Sequence, residues 1–169
     1  MHQYGDYLMR MAFLLLKDRQ AAEEAVQDTF IQAFNKIGQL QDPVKLKGWL
    51  IQIAINRCRM KQRTWSWKHL FPFARMEQVE VGREPGPEEI ILTEWRNERL
   101  GDAVHSLDYK YREVITLFYY NEMSVKEIAG YLQCNENTVK ARLARGRLQL
   151  KRIIEGGEGY EDGSRAGLF

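Results

Sequence analysis

Two clusters of residues have the types and spacing for chemistry on a polyanion. Toward the C-terminus, Asn137, Thr138, Lys140, Arg142, Arg145, Arg147, Lys151 and Arg152 lie on what reads as one helix. A helix with polar groups at its N-terminal end and cations along its length is the reading element of a helix-turn-helix. In the first half, Arg57, Arg59, Lys61 and Arg63 run into Trp65, Trp67, Phe71 and Phe73, interleaved with Lys68, His69 and Arg75. Cations mixed with aromatic rings suit single-stranded nucleic acid, whose bases stack on the rings. Those aromatics can equally pack locally against the first domain. Covalent or metal chemistry has no such support, because no phosphate loop, nucleophile–base arrangement or ligand cluster is present. His2, His69 and His105 stand apart, as do Cys58 and Cys134. The expectation is a non-enzymatic binding protein with no cofactor, metal or small-molecule substrate.

The elements that must position the C-terminal cluster are legible. Ser124 followed by Glu127 is a capping box that starts a short helix. Val125, Ile128, Ala129 and Leu132 then fall on one helical face. Gln133-Cys134 leaves a tight turn before Asn135, a good N-cap for the next helix. Val139, Leu143, Leu150 and Ile153 form that helix's apolar stripe, with Gly146 permitting close approach. The plain alternative is a helical hairpin with a solvated basic face, but capping, stripe and charge all agree on the first reading.

The net charge of +2 conceals segregation. Residues 43–76 carry eight basic and no acidic groups, residues 77–102 three and eight, and residues 124–155 seven and three. Two basic blocks around an acidic one predict two anion-binding surfaces. Two cysteines outside any C-x-x-C pair fit the reduced thiols of the cytosol. The apolar run Met9 to Leu16 is too short to span a bilayer, and nothing resembles a cleaved leader, so a cytoplasmic location is expected.

The fold expected is all-α, two small helical bundles joined by a flexible linker, the second containing the helix-turn-helix. The first domain covers residues 1–63. Its opening helix, 3–17, points Tyr7, Met11, Leu14 and Leu15 inward, and Asp18 ends it or caps the next. A helix from Gln20 to Ile37 buries Ala22, Val26, Thr29, Phe30, Ala33 and Phe34, with Gly38 as terminator. Asp42-Pro43 resembles a helix start, and Lys45 to Arg63 reads as one or two helices with Leu46, Trp49, Leu50, Ile53 and Ala54 inward. Residues 64–88 read as a linker containing Pro85-Gly86-Pro87. The second domain, 89–155, opens on a helix with Ile91, Leu92, Trp95, Leu100, Ala103 and Leu107. Asp108 caps the next, whose stripe is Tyr111, Val114, Ile115 and Phe118. Gly156-Gly157 ends the last helix, and 156–169 is a tail too poor in apolar residues to order itself.

These segments together resemble the extracytoplasmic-function (ECF) sigma factors of bacterial RNA polymerase, from about Tyr4 to Ile154 apart from the linker. A-E-E-A-V-Q-D-T-F-I-Q-A-F is similar to family region 2.2, and K-G-W-L-I-Q-I-A-I-N-R to regions 2.3 and 2.4. Y-R-E-V-I-T-L, S-V-K-E-I-A-G-Y-L and N-T-V-K-A-R-L-A-R-G-R-L-Q-L are similar to region 4. Region 4 alone is moderately specific, since response-regulator effector domains share its helix-turn-helix; both halves in this order are highly specific. The chain departs from the pattern at Leu107-Asp108, where Leu-Pro is common, and at Gln133, where the turn usually has glycine.

The resemblance implies specific roles. Glu24, Gln27 and Asp28 match the face that docks on the coiled coil of the polymerase β′ subunit, where carboxylates would meet arginines. Asn56 matches the position that reads a −10 base extruded from the duplex, a task its donor and acceptor suit; without the resemblance it is as well read as a helix-surface amide. Arg57, Arg59, Lys61 and Arg63 would hold −10 phosphates. Asn137, Thr138, Lys140, Arg142 and Arg145 match the part of region 4.2 that enters the −35 major groove, where Lys and Arg reach guanine and Asn pairs with adenine. The implied partners are core RNA polymerase through its β′ and β subunits, duplex promoter DNA and the unpaired −10 strand. An anti-sigma factor, commonly membrane-anchored in the family, is implied as well. The rival readings are a helix-turn-helix activator or repressor that acts without being a polymerase subunit, and a nuclease. The first leaves the region 2 match unexplained, and the second lacks an acidic metal cluster.

Overall fold

A computed structural model describes the backbone over residues 2–70 and 98–165, and side chains over 3–64 and 100–156. The chain divides into two units, Met1–Leu92 and Thr93–Phe169, and the described residues contain helices and turns but no strand. The aromatic positions Trp65 to Phe73, most of the expected linker, the positions Ile91, Leu92 and Trp95, and residues 166–169 lie outside the described side chains.

In the first unit, α1 (His2–Leu16), α2 (Arg19–Lys36) and α3 (Leu46–Leu70) pack pairwise into a three-helix bundle. α1 buries Leu8, Met11, Ala12 and Leu15, an i, i+3, i+4, i+7 face. Tyr7 and Leu14, expected inside, are half-buried. An almost wholly apolar helix accepts either register, and only the neighbouring helices select one. Asp18 is the N-cap of α2, its Oδ1 accepting from the Ala21 N–H at 2.7 Å. α2 buries mostly small residues, Ala22, Ala25, Val26, Thr29 and Ala33, and the Thr29 hydroxyl donates to the Ala25 carbonyl at 2.6 Å.

Phe34 corrects the expected α2 stripe, being 77% exposed, while Phe30 is half-buried. The covered face is centred on Ala22, Thr29 and Ala33, and Phe34 stands about 120° around the helix from Ala22. Gly38 is not a left-handed terminator either. It sits in a 3-10 turn, Ile37–Gln39, closed by the Leu40 N–H on the Ile37 carbonyl, and no described glycine has positive φ. Asp42 accepts from the Val44 N–H at 3.0 Å and starts a second 3-10 turn, Pro43–Lys45, which leads into α3. α3 buries Leu50, Ile51, Ile53, Ala54, Ile55 and Cys58, with Leu46 and Trp49 half-buried. The helix runs on past Arg63 to Leu70, because Thr64 to Leu70 contains neither glycine nor proline and the first breaker is Pro72.

The second unit is assembled on its longest helix. α4 (Glu98–His105), α5 (Tyr109–Ile115) and α6 (Val125–Leu132) all pack on α7 (Glu136–Arg165), and a π-helical turn, Thr116–Tyr120, extends α5. Ala103, Val104, Leu107, Tyr111, Val114, Ile115, Leu117, Ile128, Leu132, Val139 and Leu143 form the core. Gly146 is buried against α5, where a Cβ would stand 3.0 Å from Ile115 Cγ1 and 3.3 Å from its Cδ1. Leu100 and Ile153, expected inside, are 40% and 37% exposed, and Phe118 and Leu150 are half-buried. Asp108 occupies the N-cap position of α5 but makes no side-chain capping bond. α7 passes through Gly156-Gly157 to Arg165, beyond the stop and into the tail expected to be unstructured. Glycine weakens a helix by about 1 kcal/mol relative to alanine but ends one only by turning left-handed, which no described glycine does.

Candidate nucleic-acid interface

On α3 the outward residues are Asn56, Met60 and Arg63, all exposed, with Met60 at 55%. Four and seven residues apart, they share one helical face. Arg59 lies beside them, half-buried. The other two cations of the run turn toward α2. Arg57 donates from Nε and Nη2 to Gln32 Oε1, at 3.0 and 2.6 Å. Lys61 Nζ meets Glu24 Oε2 at 2.7 Å. Of the four cations expected to act together, Arg57 and Lys61 are thus held by α2, while Arg63 stands on the exposed face. A free run of like charges is costly, and a helix packed alongside with acceptors at matching height relieves it. Gln32, which fixes Arg57, and Met60, which extends the open face, were not singled out by the sequence pattern.

Glu24, Gln27 and Asp28 share one side of α2, the first two exposed and Asp28 half-buried. Glu24 also accepts from Gln20 Nε2 at 3.5 Å. The same side continues into apolar residues, with Ile31 61%, Phe34 77% and Ile37 52% exposed. A carboxylate edge thus lies beside an open apolar strip, a composition that in general marks interaction surfaces. The ion pair from Glu24 to Lys61 ties this surface to the α3 cations, two sets that the sequence reading kept separate.

In the second unit the helix-turn-helix is built as the sequence spacing predicts. Ser124 Oγ accepts from the Glu127 N–H at 3.1 Å, and Glu127 Oε2 accepts from the Ser124 N–H at 2.7 Å, which closes the capping box. Gln133 ends α6 at φ 52°, ψ 47°, the left-handed conformation that glycine adopts at least cost. This is the physical reason that glycine is common at such a turn. Asn135 Oδ1 then accepts from the Asn137 N–H at 2.6 Å and starts α7.

Along α7, Val139, Leu143 and Gly146 face the core. Asn137, Lys140 and Arg145 are exposed, while Thr138 and Arg142 are half-buried on one flank. The exposed face also includes Ala141, Ala144 and Leu148, so the five expected contact residues sit on its outward and flanking sides. Arg112 and Glu113, only 3% and 2% exposed, are core residues that periodicity missed. Arg112 Nη1 donates to the Leu107 carbonyl at 3.1 Å and the His105 carbonyl at 3.3 Å. Burial draws the Arg112 guanidinium pKa below its ordinary value, opposed by Tyr109, Asp108 and Glu113. Among the described residues no group of three acidic, histidine or cysteine side chains is placed to hold a metal, and no helix is long and apolar enough to cross a membrane.

Comparison with known proteins brings the two units together. Residues 1–68 match the family model of sigma-70 region 2, and residues 97–150 that of sigma-70, region 4. The ECF RNA polymerase sigma factor SigM of Bacillus subtilis is 30% identical over 166 residues, covering 91% of this chain and 92% of SigM. SigW of the same organism is 28% identical over 162 residues, covering 89% and 84% of the two chains. The sigma factor RpoE of Bartonella quintana, solved with the anti-sigma factor NepR, shares the fold at a TM-score of 0.70 and 23% identity, over 91% of this chain and 93% of RpoE. With both units matched in order, and a relative this similar over nearly its whole length, the chain belongs to the ECF sigma factors of bacterial RNA polymerase.

Proposed function

We propose that the chain carries core polymerase to −10/−35 promoters and traps unpaired −10 bases, with the individual surfaces dividing the work. The observation that carries this reading is the presence, in one chain, of an open amide-and-cation face on α3 and of a capped helix-turn-helix with outward cations on α7. Asn56 reads an extruded −10 base, and Arg57, Arg59, Lys61 and Arg63 hold the neighbouring phosphates. Asn137, Thr138, Lys140, Arg142 and Arg145 enter the −35 groove. Glu24, Gln27 and Asp28 dock on β′, and the exposed Ile31 and Phe34 supply apolar area to the same contact. Because Lys61 is paired with Glu24 in the free chain, docking on β′ and gripping DNA compete for one ion pair. The segment between the two surfaces tethers them, the chain works in the cytoplasm, and chemistry stays with the polymerase. An anti-sigma factor, as found with the Bartonella quintana fold relative, would act by covering these faces.

Reconstituted transcription tests the reading. Core polymerase with this chain should initiate at defined sites where core alone does not. Asp28→Arg should weaken core binding with circular dichroism unchanged. Asn56→Ala should reduce permanganate reactivity at −10 and −10 discrimination, by about 1–3 kcal/mol per base contact, while sparing −35 protection. Duplex binding without any effect on core transcription would instead support a free-standing helix-turn-helix regulator. The match over both sigma regions speaks against that outcome.

A further inference from the structure

Arg147 belongs to the cation cluster of α7 but has no specific contact assigned above, and it is an exposed cation held by an aromatic pair and a hydroxyl. Its Nε donates to the Tyr119 hydroxyl oxygen at 2.7 Å. Its guanidinium carbon lies 5.2 Å from the centre of the Phe118 ring and 5.7 Å from that of Tyr119. The two rings meet edge to face, 5.0 Å apart at 74°. A π-helical turn, an uncommon element that concentrates at functional sites, presents both rings. Arg147 is exposed, and among the described residues no acceptor meets Nη1 or Nη2. The two cation–π contacts and the Nε bond therefore hold the exposed group in place, while among the described residues its two-pronged Nη edge makes no hydrogen bond. An arginine pre-set in this way loses little rotamer entropy on gripping a planar or tetrahedral anion.

Position on the helix indicates which anion. At 3.6 residues per turn, Lys140 falls about 20° and Lys151 about 40° from Arg147 around α7. The three cations therefore form one flank, lying between the buried Val139–Leu143–Gly146 side and the outward Asn137–Ala141–Arg145 side. A helix that lays its outward side on base edges places its flanks against the walls of the groove, and those walls are phosphates. Arg147 lies about 10 Å along the axis from Lys140. It is anchored by the segment that leads into α6, the helix that crosses the backbone in this motif. We propose that Arg147 is a phosphate clamp for the duplex flanking the −35 element, pre-set by Tyr119 and Phe118, and that it adds affinity without sequence preference. The inference rests on the reading of α7 as the −35 element.

The test uses full-length chain assembled with core polymerase, and a duplex selected by that holoenzyme from random sequence. Arg147→Gln should weaken binding uniformly across base substitutions and lower the salt slope by about 0.9, the value of one phosphate contact. For a rise from about 50 to about 200 mM salt, the wild type should then lose about 3.5-fold more affinity than the variant loses. Arg147→Lys, which keeps the charge but not the fork, should retain the slope and lose part of the affinity. Tyr119→Phe should behave likewise, because the ring remains and only the hydroxyl acceptor is removed. An unchanged slope and affinity in Arg147→Gln would overturn the clamp, leaving Arg147 an internal stack. Loss of core-polymerase affinity with an unchanged DNA slope would also overturn it, assigning the fork to a protein carboxylate. If the wild-type holoenzyme selects no duplex at all, the promoter reading itself fails and the clamp with it.

Discussion

Gly146 and Gly130 are both helical glycines of the second unit, and the same substitution to alanine should have opposite effects at the two. A Cβ at position 146 would sit 3.0 Å from Ile115 Cγ1 and 3.3 Å from Cδ1, with Tyr111 Cβ at 3.5 Å. Carbon contacts favour about 3.5–4.0 Å, so Ile115 would have to retreat by about half an ångström. Ile115 is only 4% exposed and has Val114 and Leu117 as buried neighbours along the chain, so it has little room to do so. Overpacking of this kind costs about 1–3 kcal/mol. The gain in helix propensity from Gly to Ala returns about 0.8–1 kcal/mol. Gly146→Ala should therefore be destabilising by about 1 kcal/mol net. At Gly130, also exposed, an added Cβ meets nothing within 4 Å, so only the propensity gain remains and Gly130→Ala should stabilise by about 0.5–1 kcal/mol. Urea midpoints followed by far-ultraviolet circular dichroism measure the signs. Amide exchange along α6 and α7 assigns the change to the second unit. If both variants gain stability, Ile115 has room to yield, and close approach to α5 is not what requires glycine at position 146.

Three further outcomes follow from local geometry. Gln133→Gly should stabilise the second unit by about 1 kcal/mol, because the left-handed backbone at this position strains any residue with a Cβ; thermal unfolding measures it. Ser124→Ala should cost about 1 kcal/mol by removing the acceptor for the Glu127 N–H, and exchange should rise first in the opening turn of α6. Burial, with Glu127 adding, raises the Tyr131 phenol above its usual value of 10.0. The folded chain thus favours the protonated phenol. The stability from this group is complete below the unfolded pKa and is lost as pH rises through the folded one. Tyr131→Phe should flatten that alkaline decline in pH-dependent urea melts.

What the sequence determined by itself is the local, period-driven layer. The Ser124–Glu127 capping box, the Asp18, Asp42 and Asn135 caps and the Val139–Leu143 stripe all follow from short-range rules. A cap, a turn or a helical face depends on residues within four or five positions of one another. The match to sigma regions 2 and 4 is equally a property of residue order. Tertiary structure decided whatever depends on which helix lies alongside. It put Leu8 and Ala12 rather than Tyr7 and Leu14 against the core, and it left Phe34 in the open because the bundle covers only the small-residue side of α2. It buried Arg112 with backbone carbonyls as partners. It also split the cation run of α3, sending Arg57 to Gln32 and Lys61 to Glu24 across 25 and 37 residues of chain, and it set Arg147 against the rings of Phe118 and Tyr119 from the π-helical turn that extends α5. Side-chain pairing over such separations leaves no periodic trace, because the partner's distance along the chain is set by loop lengths and by the register of helix on helix. Residue types alone could therefore name the cations, while the packing of α2 on α3 and of α5 on α7 settled which of them are held and which edge each presents.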